Sequence, residues 1–338
     1  DSTAMQSNSQ LAAGLESFLV NPRTKWFELR IPGSEPTGNV SAWLSQVRDR
    51  MLAHFAKPES NFYSAVHESF LELGSYGTMI QFMQEDDQGP RFVSRPLPEI
   101  FLKEAHDGRI DTVYRKFTMT ARQAVQFYGE DSLPDRIVNK NKKAPNTEFD
   151  FLQAVLPRGD FDPNKAPTQD NKKWRSAHFV MSGGEKIKES GFDEFPFIIA
   201  RWNKVTGEVY GRSPTMEVLP DIRMLQEMSK TVLQAAQKIV HPPMLAPDDG
   251  VIGPVRTTPG GLNYYRAGAA TGTGNRPPIE PLQTGGRVDI GSELIAQRQQ
   301  TVQQSYMISE ILGLVSRGDS SPLKAAEVVG RQQQALRQ

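Results

Sequence analysis

Cysteine is absent from this 338-residue chain. That excludes disulfides, thiolate nucleophiles and cysteine-based metal sites. Neither sign of charge is in excess, since 39 Lys and Arg stand against 39 Asp and Glu. A protein that coats nucleic acid carries a basic surface, so no such coat is expected. Nucleic acid sliding past needs only weak contact and stays compatible with neutrality. No stretch reaches the ~18 consecutive apolar residues of a membrane span, so no membrane partner is expected. The five histidines, His54, His67, His106, His178 and His241, are scattered and lack HExxH or paired-ligand spacing. No serine sits in a nucleophile elbow. The run from Gly268 to Gly274 lacks the Lys-Ser/Thr pair and following helix of a phosphate loop. Asp86-Asp87 and Asp248-Asp249 fall in Gly/Pro turns, which account for them. No catalytic residue, metal or cofactor is therefore expected.

Hydrophobic side chains make up 38%, and 27 Gly and 24 Pro are present. Much of the chain is therefore loop or surface. The length allows one large domain or two ordinary ones. The start lacks Met and a signal pattern, and the end stops inside a helical pattern, so a longer parent protein is expected.

An α+β body is expected first. Helices are read over residues 1–19, 41–56 (N-capped by Ser41) and 62–73, the last ended by Gly74 and Gly77. A short strand is read at Trp26–Arg30. Further strands are read at 78–83, 91–98, 99–104, 110–119, 149–157, 174–181 and 197–202. A short helix runs from Thr120 to Tyr128, and residues 159–173 form a loop.

The pattern then changes. Gly211, Arg212, Ser213 and Pro214 make a turn, and a long helix leaves it at an angle the turn sets. The heptad-like seam of this helix comprises Val218, Ile222, Leu225, Val232, Ala236 and Ile239. Gly permits the tight turn and Pro suits a first helical turn. Pro220 lies in that first turn, or kinks the helix if the helix begins earlier. His241-Pro242-Pro243 stops it. Residues 241–291 are more than a third Gly and Pro. A second, glutamine-rich helix is read over 290–312, then a flexible loop and a further helix from Leu323. Such a hairpin buries itself poorly within one monomer, and copies in a ring would line a channel with it.

The chain resembles the portal, or head-to-tail connector, proteins of short-tailed bacteriophages. The resemblance rests chiefly on Arg201-Trp202, Gly207-Glu208-Val209-Tyr210-Gly211-Arg212-Ser213-Pro214, Leu219-Pro220-Asp221-Ile222 and Pro242-Pro243. The opening Asp1-Ser2-Thr3-Ala4, Trp26-Phe27, Leu73-Gly74-Ser75-Tyr76-Gly77 and the stretch Asp107 to Arg115 add to it. It implies a ring of identical subunits, usually dodecameric, at one capsid vertex. Residues 1–217 would be the wing, 218–240 and 290–312 the stem helices, 241–289 the clip, 313–322 the tunnel loop, and 323–338 the start of a crown-side helix. The implied partners are double-stranded DNA in transit, the major capsid protein, scaffold, terminase and tail adaptor. The implied location is the virion, and the host cytoplasm during assembly. Arg317, Asp319, Ser320, Lys324 and Arg331 are the candidate DNA contacts, phosphate contacts being few and mobile in a conduit. Arg256, Tyr264, Tyr265, Arg266, Arg276 and Arg287 are candidate clip-interface residues, aromatics being strong interface anchors. A tail adaptor, a scaffold or an enzyme of unknown type are the competing classes.

Overall fold

The computed structural model describes residues 1–33, 38–86, 89–164, 168–242, 244–245, 251–252, 264–265, 280–281 and 288–307. The chain divides into two compact units. One holds Ala4–Val218 with the residues from Gln303 onward; the other holds Asp1–Thr3 with Leu219–Val302.

The larger unit is α+β. Helices α1 (Thr3–Leu19), α2 (Gly38–Phe55) and α3 (Phe62–Tyr76) come first. Along α3, Phe62, Val66, Phe70 and Leu73 recur at helical spacing and are all buried. Gly77 ends α3 in the left-handed conformation, φ +75°, its N–H donating to the Leu73 carbonyl at 2.9 Å. This is the αL cap that glycine permits. Gly74, expected to stop the helix, lies inside it.

Eight strands come next: β1 (Thr78–Asp86), β2 (Gly89–Ser94), β3 (Ile100–Glu104), β4 (Ile110–Thr120), β5 (Glu148–Pro157), β6 (Trp174–Val180), β7 (Glu185–Phe192) and β8 (Phe197–Arg201). Strands β3 to β7 form an antiparallel five-stranded meander, and β2-β1-β8 a separate antiparallel sheet. Between β4 and β5 sit α4 (Ala121–Tyr128) and α5 (Asp135–Lys143). Thr120 and Gln123 close α4 with a reciprocal capping box. One core joins α4, α5 and the meander through Phe117, Phe151, Val180, Tyr128 and Ile137. A second joins α3 to Phe92, and a third joins the two sheets through Ile80, Phe82, Val113 and Val155.

Several expectations need correction. Trp26–Arg30 makes no strand. Its apolar residues stack instead: Trp26 lies parallel to Phe62, ring centroids 6.0 Å apart, and beside Phe55 at 6.1 Å. Helix α2 begins at Gly38, so Ser41 lies inside it rather than capping it. The sequence pattern points to neither α5 nor β7. Both are highly polar, with Ile137 buried on α5 and Ile187 on β7 to hold them down.

In the smaller unit, α7 spans Leu219–Val240, preceded by the single turn α6 (Pro214–Glu217) in the larger unit. Pro220 is thus the second residue of α7, where its missing N–H costs nothing. Helix α8 runs Val288–Ser305. Of the helix expected to Leu312, α8 ends at Ser305, Tyr306 is buried and Met307 takes φ +54°, and residues 308–312 lie outside the described residues. Within the smaller unit, Asp221 pairs with Arg298 at 2.8 Å, and Gly291 lies where a β-carbon would stand 2.6 Å from Val232 Cγ2. The start of α7 thus meets the second half of α8, and a residue just past the middle of α7 meets the start of α8, so the two helices run antiparallel.

Candidate functional site at the root of the long helices

Two of the segments singled out in the sequence meet in space, although more than a hundred residues separate them. Leu73-Gly74-Ser75-Tyr76-Gly77 and Gly207 to Pro214 form one junction immediately before α7. Trp202 N–H donates to the Gly77 carbonyl at 2.8 Å, and Gly211 N–H to Thr78 Oγ1 at 2.8 Å. Arg212 N–H donates to Asn203 O at 2.8 Å, closing the intervening loop as an antiparallel bridge. The backbones touch so closely that no side chain fits between them. A β-carbon on Gly211 would lie 2.2 Å from Gly77 O, and one on Gly77 would lie 2.5 Å from Gly211 O.

Ser213 is fully buried and does three things here. Its backbone is the N-cap of α6, its side chain accepts from Met216 N–H at 3.0 Å, and its hydroxyl donates to Ser75 O at 2.8 Å. Pro214 occupies the first turn of α6 and is buried. Thr215 donates to Gly74 O at 2.7 Å and also bonds the hydroxyl of Tyr306 at 2.6 Å. Asn8 of α1 donates to Leu71 O and Ser75 Oγ, at 3.1 and 2.9 Å. The segment preceding α7, the residue after α8, and α1 and α3 are thus tied to a single knot.

The knot's outer charges are paired. Arg212 grips Glu208 through two hydrogen bonds of 3.0 and 2.6 Å, which hold the carboxyl below its usual range. Arg201 bonds Glu104 and the Val209 carbonyl, while Lys204 reaches Glu104 at 2.6 Å. The Lys204 and then the Arg201 hydrogen bonds lower the Glu104 pKa. Tyr210 turns its hydroxyl to Leu102 N–H at 3.0 Å, capping the edge strand β3. This machinery positions backbone.

A second polar cluster lies on the meander. Register aligns Arg115, Gln153, His178 and Lys188 side by side across β4 to β7. His178 Nδ1 bonds the Tyr128 hydroxyl at 2.9 Å, and Nε2 stands 3.5 Å from Ser176 Oγ. Burial, then the charges of Lys188 and Arg115, push the His178 pKa down to about 4. Burial raises the Tyr128 phenol well above its ordinary value. His178 is therefore neutral at pH 7. Among the described residues no carboxylate hydrogen-bonds it, so the set lacks the third member of a Ser-His-acid arrangement.

Of the expected seam, Leu225 is 2% exposed and Val218 is buried; Ile222, Val232 and Ala236 are half-buried, and Ile239 is exposed. Leu233, outside that seam, is 60% exposed. Tyr264-Tyr265 pair with Val251-Ile252 as two-residue strands. Arg256, Arg266, Arg276, Arg287, Arg317, Asp319, Ser320, Lys324 and Arg331 lie outside the described residues. Sequence reading missed Asn8, Thr215 and Tyr306. Among the described residues no cluster of His, Asp and Glu could hold a metal ion, and no helix is long and apolar enough to cross a membrane.

Comparison with known proteins gives a consistent result. A family model described as bacteriophage head to tail connecting protein matches residues 1–338. A "Probable portal protein" of Bordetella phage BPP-1 is 31% identical, over 99% of this chain and 60% of the relative. The "Portal protein" of Salmonella phage epsilon15 is 32% identical, over 78% of this chain and 48% of the relative. The chain thus spans roughly half to three-fifths of the length of these curated relatives.

Proposed function

Because the chain belongs to the family of bacteriophage head to tail connecting proteins, we propose that it is the wing-and-stem part of a viral portal subunit. Identical copies form a ring at one capsid vertex, and double-stranded DNA passes through it during packaging and ejection. The observation that carries this reading is the family match along the whole chain, joined by two portal relatives. Residues 1–217 act as the wing, facing capsid and scaffold. Residues 218–240 and 290–312 act as the stem, 241–289 as the clip on which terminase and tail adaptor dock, 313–322 as the tunnel loop, and 323–338 as the start of the crown side. The role is structural and needs no cofactor.

The antiparallel pairing of α7 with α8 supports the stem assignment. So do Leu233, Ile239, Val240 and Leu294, each more than 45% exposed. Apolar side chains left in water along one helix favour burial against another surface. A neighbouring copy supplies that surface in a closed ring.

Native mass spectrometry and negative-stain imaging of the full-length protein test the proposal. A ring of about a dozen subunits with a central hole is expected. Leu233→Asp should abolish rings while leaving the subunit folded, because this side chain is exposed within one chain. A full-length protein that stays monomeric under all assembly conditions, with or without scaffold, would overturn the reading.

A further inference from the structure

Between the two sheets of the larger unit lies an open cleft of about 1410 Å³. Small-molecule sites are typically ~300–1,000 Å³, so this one suits a chain segment better. Its walls hold all three cation–π contacts found among the described residues. Arg115 lies over Phe117 at 4.3 Å, Lys188 over Phe127 at 5.3 Å, and Arg95 over Phe82 at 5.6 Å. All six side chains line the cleft.

The cations are not equally engaged. Arg115 is paired with Glu99 at 2.9 Å. Neither Arg95 nor Lys188 has a carboxylate within ion-pair distance among the described residues. Burial, and then repulsion from Arg115, lowers Arg95 to about 10, although the Glu99 carboxylate pulls the other way. Between Arg115 and Lys188 the meander presents Gln153, Ser176 and the neutral His178, which add hydrogen-bonding groups to the floor. Of the carboxylates on the lining, Glu189 is taken up by Arg175 and Lys186 at 2.9 and 2.8 Å, and Asp193 by Lys172 at 3.1 Å. Glu85 and Glu194 are exposed. Of the four cations on the lining, Arg95, Arg115, Lys172 and Lys188, only Arg95 and Lys188 stand outside an ion pair among the described residues. Phe127, 57% exposed, offers an apolar surface beside Lys188.

We propose that this cleft is a docking site for an extended acidic peptide segment of a partner protein, its carboxylates taken by Arg95 and Lys188 and its apolar side chains by Phe127 and Phe82. The inference stands apart from the portal reading, since it concerns one subunit in any oligomeric state.

The probe is a short fluorescent peptide alternating glutamate and leucine, followed by anisotropy on the full-length protein. Its glutamine counterpart and an oligothymidylate serve as competitors. Each lost charge-assisted hydrogen bond should weaken binding about tenfold. Arg95→Gln and Lys188→Gln should therefore each show about that loss, while Lys140→Gln with Lys142→Gln, on the basic helix α5 outside the cleft, should show none. Lys188 is exposed, so that variant remains informative if Arg95→Gln folds poorly. Absence of binding, equal binding of the glutamine peptide, equal competition by oligothymidylate, or unchanged affinity in Lys188→Gln would each overturn the proposal.

Discussion

Replacing Gly77 by Ala should destabilise the larger unit far more than the same change at Gly207, although both glycines have positive φ. Gly77 has φ +75° and Gly207 φ +87°. Forcing an L-residue into this region costs roughly 1–2 kcal/mol at either position. The surroundings differ. Nothing lies within 4 Å of a β-carbon placed on Gly207, whereas one on Gly77 would sit 2.5 Å from Gly211 O and 2.6 Å from Ser213 N. These are backbone atoms, held by the hydrogen bonds of Trp202, Gly211 and Ser213, and cannot swing aside. Overpacking of this kind adds about 1–3 kcal/mol. The sums are roughly 2–5 kcal/mol for Gly77→Ala and roughly 1–2 for Gly207→Ala. A unit of this size loses about 2–4 °C of Tm per kcal/mol. The expected falls are thus roughly 4–20 °C and roughly 2–8 °C, and the difference between the two variants is the decisive quantity. Calorimetry on the full-length protein at matched concentration measures both, with oligomerisation held constant. Equal shifts would refute the claim that the junction is a backbone-to-backbone contact.

Gly211→Ala needs no left-handed conformation, so its cost, about 1–3 kcal/mol from the contact with Gly77 O alone, should appear in the same calorimetric series. Ser213→Ala removes an N-cap and leaves the Ser75 carbonyl without its donor, for roughly 1–3 kcal/mol by urea unfolding. Arg212→Ala breaks an exposed ion pair, and its effect on urea unfolding should be small and shrink with salt. Leu225 is already buried within one chain, so Leu225→Asp should lower Tm, whereas Leu233→Asp should act on ring formation alone, as native mass spectrometry will show. His178 binds its proton less readily folded, at about 4, than unfolded, near the ordinary ~6.5. Its unfolded form takes up the proton first as pH falls, so stability drops between about pH 6.5 and 4, by on the order of 3 kcal/mol in total. A His178→Gln variant should flatten that part of the stability–pH curve.

The elements most legible in the sequence are those whose local signals and burial agree. Helix α3 repeats Phe62, Val66, Phe70 and Leu73 on one face and ends on a glycine, so period and cap point the same way. Strands β4, β5 and β6 are rich in aromatic and β-branched residues, although buried residues stand side by side in each, as Thr112-Val113, Gln153-Ala154-Val155 and Ser176-Ala177-His178 do. Helix α5 and strand β7 are invisible because each buries so little. One isoleucine apiece is too sparse to establish a period, and tertiary contact decides their conformation. The junction is half legible. Gly211 to Pro214 stands out as a turn before a helix, and Leu73 to Gly77 as a helix end, but nothing local says that these glycines touch each other. Thr215 and Tyr306 carry no signal at all, since a hydroxyl pair across 91 residues leaves no pattern in either neighbourhood. The cation–aromatic cleft is hidden for a related reason. The row from Arg115 to Lys188 exists only once β7 is placed in register beside β6.

The hydrogen bond between Thr215 and Tyr306 has a topological consequence. The chain departs from one spot and returns to it 91 residues later, its exit and re-entry 2.6 Å apart at the hydroxyls. Everything between is an excursion whose two ends already meet, the condition under which segments are grafted, lengthened or excised without rethreading the body. The body of the subunit can therefore be inherited as a fixed chassis while the intervening cassette is exchanged wholesale, and a chain in which a short turn bridges the two positions should still close the same fold.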